Sequence, residues 1–439
     1  MPLSALTRRR FLCSTGLLSA AWALSPRLLA QSRGANEKIV LGLIGCGGMG
    51  RSNLRSFMAL DGVEVAGLCD VDETHLDEAT ADVVGAERPA PKRWKDFRHL
   101  LDQKDIDAVI IATPDHWHAL PFIAACEAGK DIYCEKPIAH NLVECRAMLN
   151  AARHFRRVVQ VGTWQRSVPH FQQAIEFVRS GQLGDISVCR TWYARGVDPK
   201  AWLGPMAPQP DQAPPAGFDY DFWLGPAPKR PYNPNRAHFS WRWFFDYGGG
   251  LMTDWGMHLI DIVLLAMQAS DPVSVSAAGH FIFDDSRDTP DTMQALYRFP
   301  KWNLIWENRL NNGRGLDGGR QHGCEFIGAN GSLIVDRTTY QWFPEKPGNP
   351  GPPPPAKGEN THWQNFLDCM KTRGKPRSDI ESMAKTNIVC NLGNIAFQSG
   401  TTIRWDAGKQ ELVNRRDARG CRSYQRDYRA PWKLKIHPA

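Results

Sequence analysis

The stretch from residue 39 to residue 50 constrains the fold more than any other part of the chain. Ile39-Val40-Leu41-Gly42-Leu43-Ile44 is a continuous apolar run, as a strand buried on both faces requires. Gly45-Cys46-Gly47-Gly48-Met49-Gly50 follows at once, and residues 51–60 then read as a helix. Strands buried on both faces belong to parallel sheets, whose crossovers are usually helices, so the chain is expected to be α/β. Gly45, Gly47 and Gly50 fit G-x-G-x-x-G in the strand–turn–helix context that gives the pattern meaning. The first glycine permits the tight turn, the second lets a pyrophosphate approach the backbone, and the third lets helix pack against strand. The amides of Gly48 and Met49 then open a helix whose N-terminus suits phosphate. Val63–Cys69 reads as the next strand and ends at Asp70, 25 residues after Gly45, close to the separation expected of a carboxylate that accepts from ribose hydroxyls. A glycine-rich turn beside a surface aspartate would need neither strand. Asp70 repels a 2′-phosphate and Val71-Asp72-Glu73 supplies no adjacent arginine, so NAD is favoured over NADP.

Ninety positions further on, Asp131-Ile132-Tyr133-Cys134 reads as a short buried strand ending in Glu135-Lys136-Pro137. A charged pair at such a tip lies where open parallel sheets keep their ligands. Lysine offers three donors there, and proline fixes the turn. Alone, the triplet would read as a solvated strand-end ion pair. Asp254-Trp255-Gly256-Met257-His258 places a carboxylate and an imidazole four residues apart in a segment of helical period, 253–267, so both side chains are expected on one helix face. Asp254 would then orient His258 as a proton acceptor. The plainer alternative is a core histidine held by Asp261.

These segments together resemble the glucose–fructose oxidoreductase / inositol dehydrogenase / rhizopine-catabolism (Gfo/Idh/MocA) family of NAD(P)-dependent sugar oxidoreductases. The resemblance rests on the glycine loop 45–50, Ala112-Thr113-Pro114 with His118, Glu135-Lys136-Pro137, and Asp254 with His258, and covers the chain after residue 36. It implies a Rossmann domain followed by an α/β domain whose large, open, mostly antiparallel sheet covers the active site and mediates homo-oligomerisation. It implies that Lys136 binds the substrate hydroxyl, that His258 is the acid/base and that Asp254 orients it. It implies that Thr113, Pro114, His118, Glu135, Lys136 and Gln165 wrap the cofactor, with Arg166 of the same loop near the substrate. A related glycosidase branch uses NAD transiently and lacks an intact Glu-Lys-Pro, which argues against that branch here.

Thr7-Arg8-Arg9-Arg10-Phe11-Leu12 matches a twin-arginine export signal, and the apolar stretch Phe11–Leu24 is too short to span a bilayer comfortably. Residues 1–30 are therefore expected to be removed after Ala30, or to anchor the protein if retained. That route carries folded proteins, so the expectation is a periplasmic enzyme that leaves the cytoplasm with its NAD tightly bound. Setting aside the four arginines of residues 1–30 reduces the formal +7 to +3, too mild to suggest a nucleic-acid partner. The eleven cysteines show no C-x-x-C or Cys/His ligand spacing, so no zinc site is expected, and folding before export leaves the thiols reduced.

The expected organisation is a polar linker at 31–36, the nucleotide domain at 37–162, a substrate and oligomerisation domain at 163–410 and a C-terminal arm at 411–439. Helices are expected near 168–180, 253–268 and 361–373, and strands over 187–193, 274–283 and 292–299. The arm would lie along the body or a neighbouring subunit, anchored by Tyr428 and Trp432. Residues 196–246 are rich in proline and tryptophan, including Trp202, Trp223, Trp241 and Trp243. Most of these aromatics would staple a long loop to the domain; Trp243 and Tyr247, nearest Asp254, are the candidates for stacking on a sugar ring. The expected activity is hydride transfer between nicotinamide and a secondary hydroxyl of a sugar, glycoside or cyclitol. A glycosidase or lyase of the same fold, a redox-silent sugar-binding protein and a cytoplasmic dehydrogenase are the alternatives.

Overall fold

The computed structural model describes residues 38–197 and 203–438, so the export motif and Trp202 lie outside the described residues. The first sheet contains β1 (Ile39–Ile44), β2 (Val63–Cys69), β3 (Lys92–Trp94), β4 (Ala108–Ile111), β5 (Asp131–Cys134) and β6 (Val159–Val161). Their order is β3-β2-β1-β4-β5-β6 and every pairing is parallel. This is the Rossmann order, with its switch point between β1 and β4. Ile39, Leu41, Leu43 and Ile44 of β1 are buried, as are all four residues of β4 and of β5, which is why these strands read as unbroken apolar runs. Each such aliphatic side chain contributes about 1.5–3 kcal/mol on full burial.

The second sheet contains β7 (Ile186–Ala194), β8 (Ser274–His280), β9 (Thr292–Arg298), β10 (Asn303–Arg309), β11 (His322–Gly328), β12 (Gly331–Val335), β13 (Tyr340–Pro344), β14 (Ile403–Asp406) and β15 (Glu411–Leu412). Its order is β13-β12-β11-β7-β10-β9-β8-β14-β15, antiparallel throughout except for β10 beside β7. β9 shows the alternation of a sheet with one covered face: Met293, Ala295 and Tyr297 are buried, while Leu296 is exposed. Helices 256–266 and 380–399 cover the inner face. No helix among the described residues is long and apolar enough to cross a membrane.

The C-terminal arm runs over the chain's own body. The amides of Leu142 and Val143 donate to the carbonyls of Ser423 and Tyr424. Arg426 and the Tyr428 hydroxyl both bond Glu144 Oε1, at 2.8 and 2.9 Å. Trp432 packs edge-on against Trp117 at 4.8 Å and against Phe222 at 5.4 Å.

The described part of the Pro/Trp-rich segment crosses back to the nucleotide domain. The Glu73 amide donates to Gly217 O at 3.1 Å, and the Asp219 amide to Val71 O at 2.9 Å. Trp117 Nε1 donates to Trp223 O at 2.8 Å. A Cβ on Gly225 would lie 2.2 Å from the Trp117 ring, so only glycine admits this approach.

Candidate active site

The glycine loop has the shape a dinucleotide needs. Gly45 has φ +93°, and a Cβ there would sit 2.6 Å from backbone atoms of Ala112 and Thr113, so the tips of β1 and β4 touch. A Cβ on Gly50 would fall 1.9 Å from Gly45 O, which ties helix 48–58 to the turn. Above the loop there is room: a Cβ on Gly48 would meet nothing within 4 Å, and one on Gly47 only the His75 ring, at 3.6 Å. The first amides of helix 48–58 have no intrahelical acceptor, and no side chain caps them. Thr113 Oγ1 is buried without a protein partner. Open space, unclaimed amides and an orphan hydroxyl together fit a phosphate-bearing dinucleotide.

A cleft of about 380 Å³ starts at this loop. Gly45, Gly47, Gly48, Met49, Asp70, Thr113, Pro114, Glu135, Lys136 and Asp254 all line it. Asp70 has a second task that the sequence did not suggest. Its Oδ2 accepts from the Cys46 amide at 2.6 Å and its Oδ1 from the Asp72 amide at 3.0 Å, so it braces the glycine loop.

Lys136 stands at the tip of β5. Its Nζ donates to Asp254 Oδ1 at 2.6 Å and to Asp254 O at 3.2 Å. Arg242 Nε lies 3.6 Å from the same carboxylate. Burial pushes Asp254 upward, but Lys136 and Arg242 outweigh it and hold the carboxyl below its usual range. Glu135 is fixed beneath, its Oε1 accepting from Asn53 at 2.8 Å and its Oε2 from the Lys136 amide at 3.1 Å.

The expected Asp254–His258 pair does not form. Helix 250–254 ends before Trp255, and a second helix begins at Gly256. With the Asp254 carbonyl turned toward Lys136, the His258 amide bonds Trp255 O at 3.0 Å instead. The one-face argument assumed an unbroken helix. Asp254 serves Lys136, and His258 Nδ1 is buried without a hydrogen-bond partner. Burial, then the charges of Lys136 and Arg337, drive the His258 imidazole well below its ordinary pKa, and the residue does not line the cleft. Asp261 does not hold it either, being the partner of Arg166.

Other expected contacts are structural. Arg166 donates through Nε and Nη2 to both oxygens of the buried Asp261, and further to Arg377 O and Ser382 Oγ, which leaves it committed within the core. Gln165 accepts from Arg337 Nε at 3.1 Å and is buried away from the cleft. The His118 ring lies 2.8 Å from Pro137 O and 2.8 Å from Thr113 O, clamping the two strand-tip loops rather than facing a ligand. Trp243 and Tyr247 are at 1% and 0% exposure, with Tyr247 packed on Trp223 and His116, so neither offers a stacking face. Proximity in sequence to Asp254 was the only signal for them, and the turn 240–243 points their neighbours inward instead: Trp241 and Arg242 line the cleft.

Phe222, Trp223, His238 and Phe239 complete that wall, so the segment 203–247 acts as a strap across the cleft. His238 Nε2 lies 2.8 Å from Asp72 Oδ2, and its ring packs on His75 at 4.5 Å and Phe218 at 4.5 Å. Burial pushes His238 down; burial also pushes Asp72 up, but the His238 bond, the Thr74 amide and the nearby His75 together outweigh it and hold the carboxyl low. The latch is a neutral imidazole donating to an ionised carboxylate. Asp72, His75 and His238 offer donor atoms within 4.8 Å of one another, a grouping no spacing in the sequence flagged.

The description of the oxidoreductase family's NAD-binding Rossmann fold matches residues 39–163, and that of its C-terminal alpha/beta domain matches residues 170–298. The chain belongs to the Gfo/Idh/MocA oxidoreductase family. A glycosyl hydrolase family 109 protein of Shewanella putrefaciens is 37% identical over 125 residues, 28% of this chain and 27% of that protein. The match therefore spans about a quarter of that relative's length. Aldose-aldose oxidoreductase from Caulobacter crescentus, complexed with glycerol, is similar with a TM-score of 0.63 at 20% identity, over 84% of this chain and 100% of the other. WlbA dehydrogenase from Bordetella pertussis, in complex with NADH and UDP-GlcNAcA, gives 0.64 at 17% identity, over 84% and 99%. At such identities these two structures share the fold with this chain.

Proposed function

We propose that this protein is an NAD(H)-dependent oxidoreductase acting on a secondary hydroxyl of a sugar, glycoside or cyclitol. The observation that carries the reading is the Lys136–Asp254 pair, which closes the cleft that opens at the glycine loop. NAD, when bound, supplies a hydride acceptor at its nicotinamide. Gly45–Met49 and Asp70 would hold its phosphate and ribose, while Thr113, Pro114 and Glu135 line the way to Lys136. Lys136 would present an ammonium donor to the substrate oxygen, with Asp254 fixing its direction. Trp241 would supply an aromatic face, and Arg242 a second cation beside the Asp254 carboxylate.

The test is to load the protein with NAD, add glucose, myo-inositol or methyl glucosides, and follow reduced-nicotinamide absorbance. Reduction is the expected result; sugar binding without any redox change would favour a redox-silent binding protein. The family 109 relative favours a second reading, in which a ring carbon is oxidised transiently, a substituent is eliminated and the cofactor is restored. That reading expects glycosidic cleavage without net NADH. Lys136 keeps its Glu-Lys-Pro setting, which favours the first.

The proposal extends to compartment and assembly. The twin-arginine motif supports a periplasmic destination, and the strap supports a cofactor retained during export. Exposed Phe281, Ile282 and Leu296 on the second domain support association with further copies of the chain.

A further inference from the structure

Among the described residues no carboxylate pairs with Arg337, which follows β12 in the turn leading to β13. Asp336, its neighbour in sequence, is committed elsewhere. It accepts from Arg320 and from the amides of Thr338 and Thr339, the latter two at 2.7 and 2.9 Å. Arg337 Nε donates to Gln165 Oε1 at 3.1 Å, while the N–H groups of Nη1 and Nη2 find no acceptor among the described residues. Gln165 fixes one edge of the guanidinium and leaves its fork open.

Aromatic faces hold the group in place. Its Cζ lies 4.2 Å from the Trp255 ring centroid and 4.8 Å from that of Trp164. Tyr193 on β7 and His322 on β11 are register partners, so their side chains share one face of the second sheet. Both rings pack on Trp255, at 4.1 and 5.2 Å. Trp255 and Trp164 also meet the His258 ring edge-on, at 6.0 and 6.3 Å. His258 Nδ1 and His322 Nε2 are buried without a protein partner. An open guanidinium fork and two unclaimed imidazole nitrogens therefore gather around Trp255, the residue after Asp254, which is the partner of Lys136. The indole faces offset part of the cost of desolvating the cation; a planar anion accepting from the fork would offset the rest. Burial brings the Arg337 guanidinium down to about 10, against the pull of Asp254, so it is still a cation at neutral pH.

We propose that Arg337 receives the carboxylate of an acidic sugar, which narrows the substrate of the Lys136 site to a uronic acid or a uronide. The proposal rests on the hydroxyl-oxidation reading above and names the substrate class of that site. Two parallel N–H groups of a guanidinium match the two oxygens of a carboxylate in one plane. Lys136 and Arg337 both act on the Asp254 carboxylate and on the His258 imidazole, so the two cations belong to one site. A phosphate would bring more negative charge toward Asp254, which favours the carboxylate. Arg337 is then a specificity residue: it holds the acidic end of the sugar and exchanges no proton.

The experiment uses the full-length protein loaded with NADH, in which no hydroxyl can be oxidised. It is titrated calorimetrically with methyl glucuronoside, methyl glucoside and glucose 6-phosphate. The uronide differs from the glucoside only in carrying a carboxylate in place of a hydroxymethyl group, and is expected to bind roughly 10–10²-fold more tightly than the other two. Arg337→Met is expected to remove that preference, and Arg337→Lys to keep only part of it, since a point charge lacks the fork. In turnover with NAD, Arg337→Met should raise KM for the uronide more than it lowers kcat. Equal binding of uronide and glucoside by wild type overturns the proposal, and that result needs no variant to fold. Tighter binding of glucose 6-phosphate overturns it too, by assigning Arg337 to a phosphate, and so does a uronide preference that survives undiminished in Arg337→Met. A uronide preference that Arg337→Met removes, with no nicotinamide reduction in NAD-loaded wild type, supports the acidic-sugar site and places the failure in the hydroxyl-oxidation reading.

Discussion

In the proposed reaction Lys136 is the donor to the substrate oxygen, and its replacement gives the cleanest separation of binding from catalysis. Lys136→Ala removes the donor facing the substrate oxygen but no group at the glycine loop, so turnover should fall roughly 10²–10⁴-fold while NAD affinity, measured by equilibrium titration, stays close to wild type. Asp70 behaves differently, because it braces the loop as well as being the proposed ribose contact. Losing the charged acceptor of the Cys46 and Asp72 amides should cost about 1.5–3 kcal/mol, and Asp70→Ser with Val71→Arg should weaken NAD before it gains NADP. Titrations with both nucleotides check this; a clean exchange of preference would show that the brace is dispensable. Arg166 is a stability residue. Arg166→Ala strands the buried Asp261 carboxylate and should destabilise the fold by about 3–5 kcal/mol in denaturant unfolding, where a substrate contact would instead have raised KM alone.

At the scale of elements, the nucleotide half was legible because its signals are local. The apolar run of β1, the glycines and Asp70 each state a backbone requirement within thirty residues. Lys136 was legible for the same reason, being fixed by the end of β5. Asp254 and His258 were misjudged because their relation depended on a helix continuing through Trp255, and a long-range bond from Lys136 to the Asp254 carbonyl decided otherwise. Helix 380–399 escaped notice although Asp379 caps it and Gly400 ends it at φ +64°. Nearly every side of it is buried, Asn387, Asn391 and Asn394 included, so no apolar stripe marks it. The Pro/Trp-rich segment reads from sequence as a stapled loop, but no spacing shows that His238 meets Asp72. His238→Ala should speed release of bound NAD, measured by stopped-flow dilution into a competing nucleotide. The low folded-state pKa of Asp72 makes its contribution present above the usual carboxylate pKa, about 4, and lost as pH falls through the lowered value. Depression of His238 acts in the same sense, since protonation on acidification is disfavoured in the fold. Retention should thus be level above about pH 6.5 and fail only in acid.

Across the whole molecule, the two domains, the strap and the C-terminal arm converge on the tips of β1, β4 and β5. The arm locks the arrangement from outside: Arg426 reaches the buried Glu144, and Trp432 backs Trp117, which in turn holds the strap through Trp223. The ten described cysteines are all buried and unpaired, so no covalent tie shares this work. Deleting residues 421–439 should therefore lower Tm and loosen the strap together, with NAD retention lost before the nucleotide domain unfolds. The central claim is that hydride moves between a substrate carbon and a nicotinamide held in the Lys136 cleft. The direct measurement uses NAD-loaded protein and a methyl glucoside deuterated at every ring carbon, followed by mass spectrometry of the released nicotinamide. The account expects deuterium in the released cofactor from wild type when oxidation is net, deuterium in cofactor quenched during turnover when oxidation is transient, and far less of either from Lys136→Ala. Product formation with no deuterium ever reaching the nicotinamide would contradict it.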